Sequence, residues 1–234
     1  MHEPLAHFYS KFGFDPTSIK QLVCGELYVG VMLDNGNVGV CSTLKKEVDL
    51  VIHDLDPVDL ANTAHRIVLT AYYNALLNDS NQYSGTSDIF EEINFRQYSK
   101  IVMVGYFQSL LNKFQRENLD IAVFDNLVSE PLILDPKKQA EFNRKTDALI
   151  LTGTSIFNET FQTIVGWTKA GCDVFVLGPS TILHPDLFLY RNINVLFGAL
   201  FEKNDIRPLQ VIEQGKGTRD FLPFMKKVYL KKNK

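Results

Sequence analysis

ALILTGTSIFNETFQTIVGWTKAGCDVFVLGPST, residues 148–181, is the stretch whose reading decides the fold. Its two apolar runs, ALIL at 148–151 and VFVL at 174–177, have strand length and no internal alternation. Each ends in small and hydroxyl-bearing residues, and a helix-length segment, 157–170, lies between them. Strands that are apolar on both faces and separated by helices predict a parallel sheet covered on both sides. Working outward, the same unit recurs. IVMV at 101–104 leads into Gly105-Tyr106 and a helix-length segment at 107–117. IAVF at 121–124 leads into Asp125-Asn126, and VLF at 195–197 into Gly198.

Upstream of about residue 80 the style changes. The β-rich stretch QLVCGELYVGVMLD (21–34) is followed by Asn35-Gly36 and then VGVCSTL (38–44). Asn-Gly between apolar strands predicts a hairpin with a two-residue turn, both central residues at positive φ. In DLDPVDL, Asp56 offers an N-cap and Pro57 a first-turn proline. Leu60, Ala64, Ile67, Val68, Ala71, Tyr72 and Ala75 then recur at helical spacing. SNQYSGTS (80–87) reads as a linker. The expected organisation is an α+β domain over residues 1–80 followed by a parallel-sheet α/β domain over residues 81–234.

The 234 residues are 45% apolar and 22% charged, ordinary for a globular chain with a real core. With 24 basic against 27 acidic residues the net charge is −3, which gives no electrostatic footprint for nucleic acid or an anionic membrane. The lysine-rich segment 226–234 reads as a solvated end. No apolar run reaches a membrane-spanning length, and MHEPLAHFYSKFGFD carries no signal-peptide pattern. Three cysteines make no disulfide framework, so the expected location is cytoplasmic. In the two-residue hairpin register Leu33 faces Val38 and Gly30 faces Cys41. Cys24 then sits six residues along its strand, about 20 Å from Cys41, out of reach of a shared metal or disulfide. The histidines are scattered and no structural zinc pattern exists.

Small, hydroxyl-bearing and backbone-permissive residues gather at the carboxyl ends of the strands: Gly105, Tyr106, Thr152, Gly153, Thr154, Gly178, Pro179, Ser180 and Thr181. Open α/β sheets bind ligands in that crevice, although ordinary strand-to-helix turns use the same residues. Asp125 lies about 20 residues after Gly105, the separation at which nucleotide-binding folds place an acid on ribose hydroxyls. Yet GYFQSL has a single glycine, and its Tyr-Phe pair would crowd a pyrophosphate. A dinucleotide is disfavoured, and a smaller ligand with a hydroxylated or cationic group near Asp125 stays open. His184 is either a general acid/base or a turn residue before Pro185. Tyr106 either stacks on a ligand or packs within the protein.

The strings VGYF (104–107), LTGTSIFNET (151–160) and LGPSTILHPDLF (177–188) resemble the signature of the family called putative heavy-metal chelation. The GKG at 215–217 is similar to its C-terminal glycine pair. GELYVGVMLDNGNVGVCSTL (25–44) and YNALLN (73–78) resemble the family's companion N-terminal domain. The resemblance implies an enolase-N-terminal-like α+β domain joined to a Rossmann-like α/β domain, with a ligand site in the cleft between them. It adds Asn158 to the binding residues Gly105, Tyr106, Thr152, Gly153, Thr154, Gly178, Pro179, Ser180 and Thr181. Two departures are visible: Glu159 and Arg191 stand where the family usually has glycine, predicting an extra carboxylate and an extra cation beside the cleft.

The resulting expectation is a cleft protein that binds a small polar metabolite or a metal chelate, in metal-related metabolism. The alternative is an enzyme acting on a small heterocyclic or phosphorylated substrate. There the Thr-Gly-Thr and Gly-Pro-Ser-Thr loops would hold an oxyanion and His184 or Asp125 would move the proton. A scaffold or interaction module is a third reading. The sequence names no cofactor and no metal ligand set. A homodimer through the hairpin edge or the last strand stays open.

Overall fold

The computed structural model describes residues 3–80, 82–128 and 130–232. The first part runs α1 (Pro4–Phe12), β1 (Ile19–Cys24), β2 (Tyr28–Leu33), β3 (Val38–Ser42) and α2 (Thr63–Leu77). Its strands form an antiparallel sheet in the order β1-β2-β3. The stretch 21–34 is therefore two strands, because the chain reverses at 25–27, where Gly25 N donates to Tyr28 O at 2.9 Å.

The Asn35-Gly36 turn also differs from expectation. Gly36 N donates to Leu33 O and Leu33 N to Asn37 O, both at 2.9 Å, so the loop has three residues. Only Gly36 takes a left-handed φ, +85°. A tight turn closed by one left-handed glycine is the next commonest hairpin connection. The change slips the register by one: Cys41 faces Val29, and Gly30 faces Val40. Cys24 pairs with Val29 from the other side. Two strand spacings thus separate Cys24 and Cys41, about 10 Å rather than about 20 Å, still beyond a disulfide. All three cysteines are free thiols.

The second part runs α3 (Ile89–Glu92), β4 (Ile101–Val104), α4 (Gln108–Arg116), β5 (Ala122–Phe124), α5 (Gln139–Lys145), β6 (Ala148–Thr152), α6 (Phe161–Gly166) and β7 (Asp173–Leu177). It continues with β8 (Ile193–Phe201), α7 (Arg207–Glu213), α8 (Thr218–Phe221) and β9 (Met225–Lys231). The six-stranded sheet has the order β5-β4-β6-β7-β8-β9. The first five strands are parallel, and β9 pairs antiparallel with β8. All five expected apolar runs are strands. The mixed α/β architecture, with a small antiparallel sheet and a mostly parallel Rossmann-like sheet, is the expected fold class. The segment expected as a solvated end, 226–234, is in its described part mostly strand, and residues 233 and 234 lie outside the described residues. Its residues to Lys231 form an edge strand that buries Val228, Tyr229 and Leu230 and leaves Lys226, Lys227 and Lys231 exposed. Lysines along an edge discourage pairing with another chain.

Helix α2 holds the two sheets together. Its cap is Asn62, whose Oδ1 accepts from Ala64 N and His65 N; Asp56 and Pro57 lie before the helix. Twelve of its fifteen residues are buried, which makes it a central element rather than a surface one. A Cβ on Gly39 of β3 would lie 2.2 Å from Ala75 N, so this close approach admits only glycine. The opposite face of the small sheet packs on α7 through Leu209 and Ile212.

Polar side chains of α2 and of Asn78, which caps its carboxyl end, reach into the second part. Asn74 Nδ2 donates to Val40 O (2.8 Å) and Pro179 O (3.3 Å). Asn78 accepts from Leu183 N at 2.8 Å and donates to Thr181 O and Ala199 O at 3.3 Å. Arg66, almost fully buried, donates to the carbonyls of Ile156 and Phe157 and to Glu3 Oε1 at 2.8 Å. A buried guanidinium is tolerable only when its donors are met in this way. The loops after β6 and β7 are thereby tied to a rigid helix.

Candidate functional site

Strand order reverses around β4, where β5 lies on one side and β6 on the other. The connections leaving these strands diverge and open a crevice at their carboxyl ends. A cleft of about 430 Å³ occupies that position, with Tyr28, Ser42 and Leu44 of the small-sheet region contributing to its lining. Gly105, directly after β4, has φ +99°, and a Cβ on it would meet Thr152 Cβ at 2.8 Å. Glycine is required there for both reasons. Ser180 Oγ accepts a hydrogen bond from Ser42 N at 2.9 Å and so ties the Gly-Pro-Ser-Thr loop to β3.

Nine of the twelve expected site residues line this cleft: Gly105, Tyr106, Asp125, Thr152, Thr154, Asn158, Gly178, Pro179 and Ser180. Thr152 and Thr154 share a hydroxyl–hydroxyl hydrogen bond at 2.9 Å. Gly153 is buried behind them, and a Cβ on it would meet Thr181 Oγ1 at 2.6 Å. Thr181 is fully buried, with Oγ1 lacking a partner among the described residues. These two pack the loops against each other and do not line the cleft.

His184 lies elsewhere. The chain after Thr181 carries Ile182 and Leu183 into the core, both fully buried, and delivers His184 to α1. Its ring meets Phe8 and Phe12 edge-on at 5.7 and 5.1 Å, and its Nδ1 accepts from Asp186 N at 3.2 Å. Burial pushes its pKa down, outweighing the opposing pull of Asp186. Arg191 is also remote from the cleft: it precedes β8, at the amino end of that strand, and the left-handed residue of its turn is Asn192 at φ +63°. Glu159, in contrast, lines the cleft at φ +64°. Asn158 Oδ1 stabilises that turn by accepting from Thr160 N (3.2 Å) and Thr160 Oγ1 (2.6 Å). A left-handed residue explains why glycine would suit the position.

Asp125 lines the cleft, but both of its carboxylate oxygens are engaged. Oδ2 accepts from Tyr106 N at 2.8 Å, and Oδ1 from Leu127 N (2.7 Å) and Val128 N (3.0 Å). The side chain clasps the loops after β4 and β5. Sequence reasoning missed Tyr28, Ser42, Gln139, Thr160, Thr163 and Trp167. Thr163 and Trp167 are four apart on or beside α6, a helical spacing that gave the only available signal. Gln139 lines the cleft with Nε2 buried and unpartnered among the described residues.

Among the described residues the lining carries two carboxylates, Asp125 and Glu159, and no lysine, arginine or histidine. Glu159 has no hydrogen-bond or ion-pair partner among the described residues. Tyr28 donates to or accepts from Thr218 Oγ1 at 2.7 Å, and burial pushes its phenol up to about 12. Burial likewise pushes the Cys41 thiol up to about 12. Neither group supplies an anion near neutrality. Among the described residues no group of three histidine, cysteine or carboxylate side chains is placed to hold a metal ion. The site therefore offers hydroxyls, amides and negative charge to a ligand, and does not present a metal ligand set of its own. No described helix is long and apolar enough to cross a membrane.

Comparison with known proteins agrees with this architecture. A family model described as "Putative heavy-metal chelation" matches residues 88–231, and a second model with the same description matches residues 9–81. A Pyrococcus horikoshii protein of unknown function from the DUF364 family has a similar structure, with a TM-score of 0.79 at 18% identity. That match covers 92% of this chain and 93% of the other. A Desulfitobacterium hafniense DCB-2 protein, also of unknown function and from the same family, matches with a TM-score of 0.77 at 16% identity, covering 97% and 98%. At such identities the likeness is one of fold. No curated protein matches the sequence.

Proposed function

The chain belongs to the family described as "Putative heavy-metal chelation", and we propose that it binds a small neutral or cationic polar ligand, with any metal arriving already chelated. The observation that carries this reading is the lining of the cleft: two carboxylates, many hydroxyl and amide groups, and no basic side chain among the described residues. A phosphate or free carboxylate would find only neutral donors there and would face Glu159. A hydroxylated or protonated group would find acceptors on every wall. A bare divalent ion is disfavoured by the absence of a three-ligand cluster among the described residues. A chelate needs only recognition of its organic shell, which Gln139 Nε2, the Thr152–Thr154 pair and the Tyr106 and Trp167 rings can provide.

Titration calorimetry with Ni(II) alone, with the neutral bis-histidine Ni(II) complex and with the anionic citrate Ni(II) complex tests the proposal. The neutral complex is expected to bind best, and Glu159→Gln to weaken any cationic ligand more than a neutral one. Tighter binding of bare Ni(II) than of either complex, or binding of the citrate complex alone, overturns it. The catalytic alternative has less support. His184 does not line the cleft, and Asp125 is occupied by three backbone amides.

A further inference from the structure

The Tyr106-Phe107 and Gly178-Pro179 loops do not close the molecule behind the cleft. On their far side lies a second cavity of about 720 Å³ that shares these four residues, Tyr28 and Leu177 with the first. Its character is different. The rings of Tyr28, Tyr106, Phe107 and Phe197 line it, and Leu222, 44% exposed, stands at its rim. Its charged residues are Asp88, Lys113, Arg219 and Lys227. Lys113 is paired with Asp88. Among the described residues Arg219 meets only a neutral acceptor, Gln108 Oε1 at 3.0 Å, and Lys227 has no hydrogen-bond or ion-pair partner. Counting the described residues, three cations against one carboxylate leave this lobe at +2, whereas the first lobe, with two carboxylates and no cation, stands at −2.

We propose that this second lobe is a binding site for a flat apolar organic anion, an aromatic body bearing one carboxylate or sulfonate. The four rings offer edge and face contacts to a planar body. Arg219 presents a planar, permanently charged fork that matches a carboxylate or sulfonate, with Lys227 adding a second positive charge. Exposed cations contribute little by themselves. The apolar walls therefore supply most of the affinity, and the two cations select the sign of the substituent. The shared walls have a further consequence: a molecule with a hydroxylated or cationic end and an aromatic acidic end would span both lobes.

A matched pair of fluorescent probes tests the assignment on the full chain. 8-Anilinonaphthalene-1-sulfonate is the anion, and N-phenyl-1-naphthylamine is the same ring system without the charge. The expected result is one saturable site per chain for the anion. The double variant Arg219→Gln/Lys227→Gln should weaken the anion about tenfold, the scale of a lost charge-assisted contact, and the neutral probe less than twofold. Ser109→Trp, a change at an exposed position lining the lobe, should remove both probes. Glu159→Gln should leave both unchanged, so failure here and failure of the first-lobe reading are distinguishable. The proposal is overturned if no saturable site is found, if the double variant weakens both probes equally, or if folded Ser109→Trp protein binds as the parent does.

Discussion

Asp125→Asn separates a loop clasp from a proton carrier, because the two roles make opposite demands on stability. The carboxylate accepts three backbone N–H groups at 2.7, 2.8 and 3.0 Å. An asparagine keeps one carbonyl oxygen. In its better orientation that oxygen still serves Leu127 N and Val128 N, and the new NH₂ is turned against Tyr106 N, donor to donor. One charge-assisted hydrogen bond is lost, worth roughly 1.5–3 kcal/mol, and a part-buried donor is left unmet. Partial exposure argues for the lower half of that range, so about 2 kcal/mol is expected. For a chain of this length each kcal/mol moves Tm by about 2–4 °C, which gives a fall of about 4–8 °C. Urea denaturation followed by circular dichroism measures the free-energy loss, and a thermal scan measures the fall in Tm. Asp120→Asn, at an exposed position, removes the same charge and should stay within about 0.5 kcal/mol. The clasp assignment is refuted if the Asp125 variant is as stable as the parent while ligand binding or turnover is lost.

Arg66→Met leaves Glu3 and the Ile156 and Phe157 carbonyls without their buried donor and should cost about 3 kcal/mol by chemical denaturation, a figure lowered for the partial exposure of Glu3. Gln139→Met removes an unpartnered buried NH₂ at similar volume, so stability should hold or rise by up to about 1 kcal/mol while affinity for any first-lobe ligand falls; calorimetry with a ligand found by the Ni(II) series checks the second half. His184 has a folded pKa below its ordinary 6.5, so the unfolded chain binds the proton more readily. Its contribution is present at neutral pH and is lost as pH falls below about 6.5. Urea midpoints at pH 7.5 and 5.5 should therefore converge in His184→Asn relative to the parent, and an unchanged pH slope would contradict the assignment.

What was legible in the sequence followed from burial symmetry. Strands β4 to β8 are covered on both faces, so their apolar runs are continuous and easily seen. The edge strand β9 was not, because only Val228, Tyr229 and Leu230 are buried and lysines occupy its exposed positions. Asn35-Gly36 announced a hairpin correctly, but the dipeptide serves both a two-residue and a three-residue loop. Whether Asn35 or only Gly36 goes left-handed decides the register, and that is settled by pairing further along the strands. The cleft glycines and hydroxyls were readable because each follows its strand directly. His184 was misplaced because its distance from Ser180 along the chain says nothing of direction. Two core residues, Ile182 and Leu183, carry the chain away from the cleft. Ser42 and Tyr28 were invisible because they reach the site only once the small sheet is docked on α2.

That docking also bears on how a family name concerned with metals can sit on a cleft with no metal ligand set among its described residues. The bonds that fix the cleft loops run to backbone: Asn74 to Pro179, Asn78 to Thr181 and Leu183, Arg66 to Ile156 and Phe157, and Ser180 to Ser42. Apart from Glu159, the described side chains near the cleft that could coordinate are placed outside it or already occupied. Cys41 is buried, His184 stands against α1, and Asp125 clasps two loops. What remains free to meet a ligand is Glu159, Gln139 and the threonine hydroxyls, groups suited to the outside of an organic molecule. If the cleft takes a chelate as proposed, such a lining would discriminate by the charge and hydrogen bonding of the chelator. Exchanging the metal inside one chelator should then change affinity little, whereas changing the chelator around one metal should change it greatly.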